Sequence, residues 1–175
     1  EDRVDNPISL YAATKKSNEL IANAYSHLYG LHTTGLRYFT VYGPWGRPDM
    51  AMYIFTKKII EGESIQVFNN GKMKRDFTYI DDIISGTRLA IDKNYSCEVF
   101  NLGNNKTEKL MDVVHLIENN IGKKAEIDFQ PLQLGDVPES YADIERSIEL
   151  LGYKPKTNVY NGIKNFIGWY RKYYD

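Results

Sequence analysis

The feature that most constrains this chain is an alternation of helix-period and strand-like segments punctuated by glycine. Asn6-Pro7 opens a first helix and Gly30 closes it. Within it Ala13, Ser17, Leu20, Ile21, Ala24 and Leu28 recur at helical spacing and read as a small-residue, core-facing stripe. Residues 33–39 read as a buried strand, and 41–49 as a loop carrying two Gly and two Pro. Residues 50–61 form a helix ended by Gly62, then come a short strand over 64–68 and the turn Asn69-Asn70-Gly71. Residues 78–80 are extended and 81–93 helical, with Asp81 and Asp82 read as helix caps. A strand over 98–102 ends at Gly103, and an amphipathic helix over 109–121 stops at Gly122, with His115 read as packed on its apolar face. A strand over 126–130 and helices over 143–151 and 161–173 complete the chain. Such alternation predicts an α/β fold. The later elements are short and irregularly spaced, more like a small capping domain than a repeating βαβ sheet.

At 175 residues the chain can form a compact domain with a real core. No run of 18 apolar residues exists, so no membrane-spanning helix is expected. The opening Glu1-Asp2-Arg3-Val4-Asp5 is acidic and lacks the apolar segment of a signal peptide. A net charge of −1 without a basic stripe argues against a nucleic-acid partner. The single Cys97 excludes an intrachain disulfide and a Cys-cluster zinc site, and His27, His32 and His115 lack metal-ligand spacing, so no metal is expected. A cytoplasmic address fits this cysteine usage. The 14 Tyr suit either a Tyr-rich core and surface or aromatic faces for a sugar and a base, and composition does not choose between them.

Tyr11 and Lys15 stand four apart on the first helix and so share a face. A phenol ordinarily titrates near pH 10, and a neighbouring ammonium stabilises the phenolate. Such a pair can accept a proton from a sugar hydroxyl while hydride leaves the same carbon. Fourteen Tyr and 15 Lys in 175 residues yield about one Tyr-x-x-x-Lys match by chance. Tyr53/Lys57 and Tyr160/Lys164 also match, and both read as solvated pairs on helix faces. Context separates the first pair. Small residues surround it in Pro7-Ile8-Ser9-Leu10-Tyr11-Ala12-Ala13-Thr14-Lys15, and the strand Leu36-Arg37-Tyr38-Phe39 leads into Thr40-Val41-Tyr42-Gly43-Pro44. Arg75-Asp76-Phe77-Thr78-Tyr79-Ile80-Asp81-Asp82, Pro131-Leu132-Gln133-Leu134-Gly135-Asp136-Val137 and Tyr141-Ala142-Asp143 follow in order. Through essentially the whole chain this succession resembles the extended short-chain dehydrogenase/reductases, in their branch of NAD-dependent nucleotide-sugar epimerases and dehydratases. The loop Thr40-Val41-Tyr42-Gly43-Pro44-Trp45-Gly46-Arg47-Pro48-Asp49-Met50-Ala51 resembles that of the UDP-glucuronate 4-epimerase group.

The resemblance implies the C-terminal part of a Rossmann-like NAD(P)-binding fold joined to a small α/β substrate-binding domain. Residues 1–48 would be the last helix and strand of the first, and 49–175 mainly the second. It implies Tyr11 as general base, Lys15 on the cofactor ribose, and Tyr38 beside the nicotinamide. Thr40 would contact the sugar or its phosphate, Arg75 the diphosphate, Gln66 and Phe68 the uracil, and Asp136 the ribose hydroxyls. Gln133 stands where many members carry Arg. Arg47 would meet a hexuronate carboxylate, against the plainer reading of an ion pair with Asp49. For Arg75 the plainer partners are Asp76, Asp81 or Asp82, and Phe68 and Tyr38 could be core residues. The cofactor implied is NAD, the substrate a UDP-sugar, the reaction epimerisation through transient C4 oxidation, and the full-length parent a homodimer without nucleic-acid or membrane partners. A 4,6-dehydratase or UDP-glucuronate decarboxylase fragment would share the oxidation step, and a non-catalytic nucleotide-binding module is the alternative of another class. No G-x-G-x-x-G follows any strand here. The chain alone is therefore expected to be an inactive C-terminal fragment that binds NAD⁺ poorly and exposes a sheet edge and apolar surface.

Overall fold

The computed structural model describes residues 4–174; the first three residues of the acidic opening and Asp175 lie outside the described residues. Helix α1 (Leu10–Tyr29) begins later than Asn6-Pro7 suggests, because Ser9 caps it: its hydroxyl oxygen accepts from the Ala12 N–H at 3.1 Å. Gly30, at φ 65°, closes it as expected. Strand β1 (Thr33–Tyr38) runs into β2 (Thr40–Tyr42), a strand within the segment read as loop. The chain changes partners at Phe39, whose N–H donates to Leu102, while Thr40 N–H donates to Asp76. Then follow α2 (Ala51–Glu61), β3 (Ile65–Val67), a 3-10 turn (Asn69–Gly71), β4 (Lys74–Arg75), β5 (Phe77–Tyr79) and α3 (Ile80–Lys93). β6 (Cys97–Leu102), β7 (Glu108–Lys109), α4 (Leu110–Ile121), β8 (Ile127–Phe129), α5 (Glu145–Leu151) and α6 (Val159–Tyr174) complete the order.

The strands pair as β1–β6, β2–β5 and β3–β8, all parallel, and β4–β7, antiparallel. Helices alternate with these parallel pairs, so the fold is α/β. Two cores form. Ile83, Ala90, Phe100, Leu102, Ala142, Ile144, Leu151 and Tyr153 gather α3, β6 and α5, with Leu36 and Phe39 packed against them. The larger core centres on α2, α4 and α6, through residues such as Phe55, Ile59, Val114, Ile117, Ile163 and Phe166. Gly162 is required there: a Cβ on it would lie 1.9 Å from the buried Tyr42 hydroxyl.

Helix α1 overturns the expected stripe. Leu20, Ile21 and Leu28 are 61%, 56% and 67% exposed, and α1 buries no residue. Its polar face meets the strands instead. Arg37 of β1 donates through Nε and Nη2 to both Glu19 oxygens, at 2.6 and 2.9 Å, and Ser26 Oγ donates to the Ser96 carbonyl at 3.0 Å. That grip holds the Glu19 carboxyl below the usual carboxylate range. β1 pairs only with β6 among the described residues, so its other edge has no strand beside it. Helical spacing marks an apolar face without saying what covers it, and among the described residues nothing buries this one.

Three smaller readings are also corrected. His115 is exposed, because α4 turns Leu110, Val113 and Ile117 to the core on the other side. Tyr53 is buried rather than solvated: its ring meets Tyr170 at 5.3 Å and its hydroxyl bonds that of Tyr174. Asp82 does not cap α3, whose N-cap is Tyr79. Its carboxylate instead accepts from the backbone N–H groups of Lys156 and Thr157, both at 2.9 Å, and so ties down the approach to α6.

Asp76 is a carboxylate with no solvent exposure. Its carboxylate accepts from Thr78 Oγ1 at 2.9 Å and from the backbone N–H groups of Asn104 at 2.7 Å, Lys106 at 3.3 Å and Ala142 at 3.3 Å. It thereby binds β5, the turn after β6 and the approach to α5. Gly103 makes room, since a Cβ there would stand 2.2 Å from Ala142 Cβ. An amide in place of this carboxylate would turn a donor toward backbone N–H groups. We expect Asp76→Asn to cost on the order of 2–4 kcal/mol, and Asp81→Asn, at an exposed position, less than about 0.5 kcal/mol. Urea-unfolding midpoints check this, and coincident midpoints for the two variants would remove Asp76 from its structural role.

Candidate active site

Two concave regions flank the β1–β2 junction, and the candidate residues divide between them. The first is a depression of about 560 Å³ between α1 and β1, lined by Tyr11, Lys15 and Tyr38 among others. Tyr11 and Lys15 sit in the first turns of α1, one turn apart, with the Lys15 ammonium 5.3 Å from the centroid of the Tyr11 ring. Both point outward, Tyr11 being 71% exposed. Tyr38, at the end of β1, is half exposed rather than core, and its hydroxyl is 3.0 Å from Thr87 Oγ1. The Glu19–Arg37 pair fixes the spacing between helix and strand.

The second is a cleft of about 510 Å³ in which Thr40, Gln66, Phe68, Arg75 and Asp136 come together, with Gln133 beside them. They arrive from separate elements. Thr40 starts β2, Gln66 lies on β3 between buried Ile65 and Val67, and Arg75 ends β4. Period-two alternation puts Gln66 outward while its neighbours fill the core. Phe68 is half-buried, so it is not a core residue. Arg75 Nη2 donates to Asp136 Oδ1 at 2.8 Å, and Nη1 to the Lys74 carbonyl at 2.9 Å. Its ion-pair partner is thus Asp136 and none of Asp76, Asp81 or Asp82. Side-chain exposures of 17% and 36% make this a half-sheltered pair that leaves a fixed guanidinium in the cleft wall. A positive, hydrogen-bonding wall facing an aromatic ring and an amide can take a phosphorylated, ring-bearing ligand.

The loop over 43–50 follows β2, and its last residues, Asp49 and Met50, line the cleft. Trp45 adopts φ 62°, a left-handed conformation costly for a bulky side chain. Its ring leans on Trp169 at 5.3 Å and Tyr173 at 5.0 Å, both from α6. Arg47 stands outside the cleft residues, 75% exposed, and bonds Asp49, as the plainer reading had it. The hydrogen bond and charge of Asp49 raise Arg47 above the usual arginine range.

Sequence reasoning overlooked Lys58 and Met50, which also line the cleft. Ala51, Ile54, Phe55 and Lys58 follow i, i+3, i+4, i+7 spacing on α2, so the helical period could have found Lys58 once the cleft was known. Among the described residues no group of His, Cys, Asp and Glu side chains is arranged to hold a metal ion, and no helix is long and apolar enough to cross a membrane.

Comparison with known proteins places this geometry. A protein of Methanocaldococcus jannaschii without assigned function is 55% identical, over 97% of this chain and 52% of its own length. UDP-glucuronate 4-epimerase 4 of Arabidopsis thaliana is 46% identical, over 99% of this chain and 44% of its own. The chain thus spans about half the length of the curated relatives it matches. The crystal structure of UDP-glucuronic acid 4-epimerase from Bacillus cereus, in complex with UDP-glucuronic acid and NAD, superposes with a TM-score of 0.91 at 32% identity, covering 99% of this chain and 58% of that one. Residues 1–103 match the model of the NAD dependent epimerase/dehydratase family, and the chain belongs to that family.

Proposed function

We propose that this chain supplies the catalytic Tyr/Lys helix and the sugar-nucleotide cleft of an NAD-dependent UDP-glucuronate 4-epimerase. The observation that carries the reading is the convergence of Thr40, Gln66, Phe68, Arg75 and Asp136 on one cleft, which Asp49 of the Arg47 loop also lines. The relatives named UDP-glucuronate 4-epimerase support it. In this reading residues 1–48 close the dinucleotide-binding domain and 49–175 mainly build the sugar-nucleotide domain, with β6 returning to pair with β1.

The depression beside α1 suits a dinucleotide's ribose and nicotinamide: it offers a phenol, an ammonium and an aromatic flank on one concave surface. Lys15 would hold the ribose and Tyr38 flank the ring. Bound NAD⁺ would supply reversible hydride transfer there. Tyr11 would take the C4 hydroxyl proton and later return it, with the Lys15 ammonium beside its ring. Arg75 would neutralise the diphosphate, its orientation set by Asp136, which keeps an oxygen for the ribose hydroxyls. Gln66 and Phe68 would border the uracil, Thr40 would contact the sugar, and Arg47 would meet the C6 carboxylate. The exposed α1 face of Leu20, Ile21 and Leu28 suits a homodimer contact in the full-length protein, which analytical ultracentrifugation tests. A reducing, cytoplasmic compartment suits the single Cys97 thiol.

Kinetics of the full-length enzyme test the roles. Tyr11→Phe removes the proton acceptor and keeps the ring, so kcat should fall about 10²–10⁴-fold with little change in substrate binding. Tyr160→Phe should leave kcat unchanged; an equal loss there would sink the choice of Tyr11. Arg47→Ala should lower kcat/KM for UDP-glucuronate about ten- to hundredfold and leave UDP-glucose nearly unaffected. An equal drop for both sugars would instead make Arg47 a diphosphate or loop-bracing residue.

A further inference from the structure

Arg47 already holds a carboxylate. Its Nε donates to Asp49 Oδ1 at 3.0 Å and its Nη2 to Asp49 Oδ2, the two-point grip by which a guanidinium takes a carboxylate ligand. The backbone makes this pairing local. Met50 N–H donates to the Arg47 carbonyl at 3.2 Å, closing a turn with Pro48 and Asp49 at its centre. Pro48 fixes its own φ, so the two charged side chains are presented together. Trp45, braced on Trp169 and Tyr173, anchors the other end of the loop. Asp49 also lines the cleft of Thr40, Gln66, Phe68, Arg75 and Asp136. The pair therefore stands beside the cleft that would take the nucleotide sugar.

Both side chains are exposed, 75% for Arg47 and 63% for Asp49, so the pair is weak and a ligand carboxylate can break it. A neutral hexose brings no rival charge and leaves the pair intact. We propose that Asp49 is an internal placeholder for the substrate carboxylate: it engages Arg47 until a hexuronate displaces it, and so sets how strongly the site prefers a uronate over a neutral sugar. Asp49 is on this account a positioning residue that acts through Arg47. The inference rests on the reading of Arg47 as the uronate ligand, and its test separates the two.

Calorimetric titration of this chain with UDP-glucuronate and UDP-glucose provides that test, for wild type, Asp49→Asn, Asp49→Glu, Arg47→Ala and the Arg47→Ala/Asp49→Asn double variant. Asp49→Asn should raise the ratio of uronate to glucose affinity about three- to fivefold, the size of an exposed ion pair. Asp49→Glu should return the ratio toward wild type, and the gain should vanish when Arg47 is already Ala. An unchanged ratio overturns the proposal. So does an equal gain for both sugars, which would mean that Asp49 merely repels the diphosphate. A loss of uronate affinity overturns it too, since Asp49 would then aim Arg47 rather than yield it. If Arg47→Ala leaves the ratio unchanged, or if wild type binds neither sugar nucleotide, the underlying uronate reading fails and takes the placeholder with it.

Discussion

The buried carboxylate of Asp76 is the interaction on which the rest of this structure hangs. It has no exposure to solvent, and its oxygens are taken by Thr78 and by backbone N–H groups of Asn104, Lys106 and Ala142. A buried charge survives only when it is well bonded. Satisfying this one forces segments far apart in sequence to meet at a single point, with Gly103 leaving the space. The consequences reach the site directly. The Asp76 carbonyl accepts from Thr40, its N–H donates to Ser140 Oγ, and Arg75 is its chain neighbour. The cleft walls are therefore placed by a polar knot rather than by apolar packing alone.

The two sides of the candidate site differ in how completely this chain builds them. Around the cleft, β3, β5 and α2 contribute to the larger apolar core, and Arg75 is paired with Asp136. Around Tyr11 and Lys15 the support is thin. α1 buries nothing, β1 has a strand on one edge only among the described residues, and the main link is the Arg37–Glu19 pair. The two sides thus differ in the apolar area beneath them: α1 buries no residue, while α2 buries five.

Much of the architecture was legible because its signals are local. Gly30, Gly62 and Gly122 each take a left-handed conformation after a helix, as glycine placement predicts. The start of α1 was misjudged because Pro7 and Ser9 both signal helix entry, and the Ser9 hydroxyl bond decided the matter. β4 and β7 left no pattern, since Lys74-Arg75 and Glu108-Lys109 are short charged pairs that pair with each other, with Lys74 also bridging Glu139. The stripe on α1 and the packing of His115 were misread for a different reason: periodicity gives a face, and burial depends on neighbours the local sequence does not name. The cleft residues were legible only through resemblance. Nothing local links Thr40 to Gln66 or Asp136, and the Arg75–Asp136 pair crosses a long stretch of chain. Lys58 went unseen because its signal is the α2 face, which means nothing until the cleft is located.

The proposed function assigns the cleft of Gln66, Phe68, Arg75 and Asp136 to a sugar nucleotide and the depression of Tyr11, Lys15 and Tyr38 to one face of a cofactor site. Backbone ¹H–¹⁵N chemical-shift titration of the chain with UDP and, separately, with NAD⁺ tests it most directly. The account predicts saturable UDP shifts concentrated at Gln66, Phe68, Arg75 and Asp136, with NAD⁺ at the same concentrations moving Tyr11, Lys15 and Tyr38 little. Saturable NAD⁺ shifts at Tyr11, Lys15 and Tyr38 with none from UDP in the cleft would contradict it.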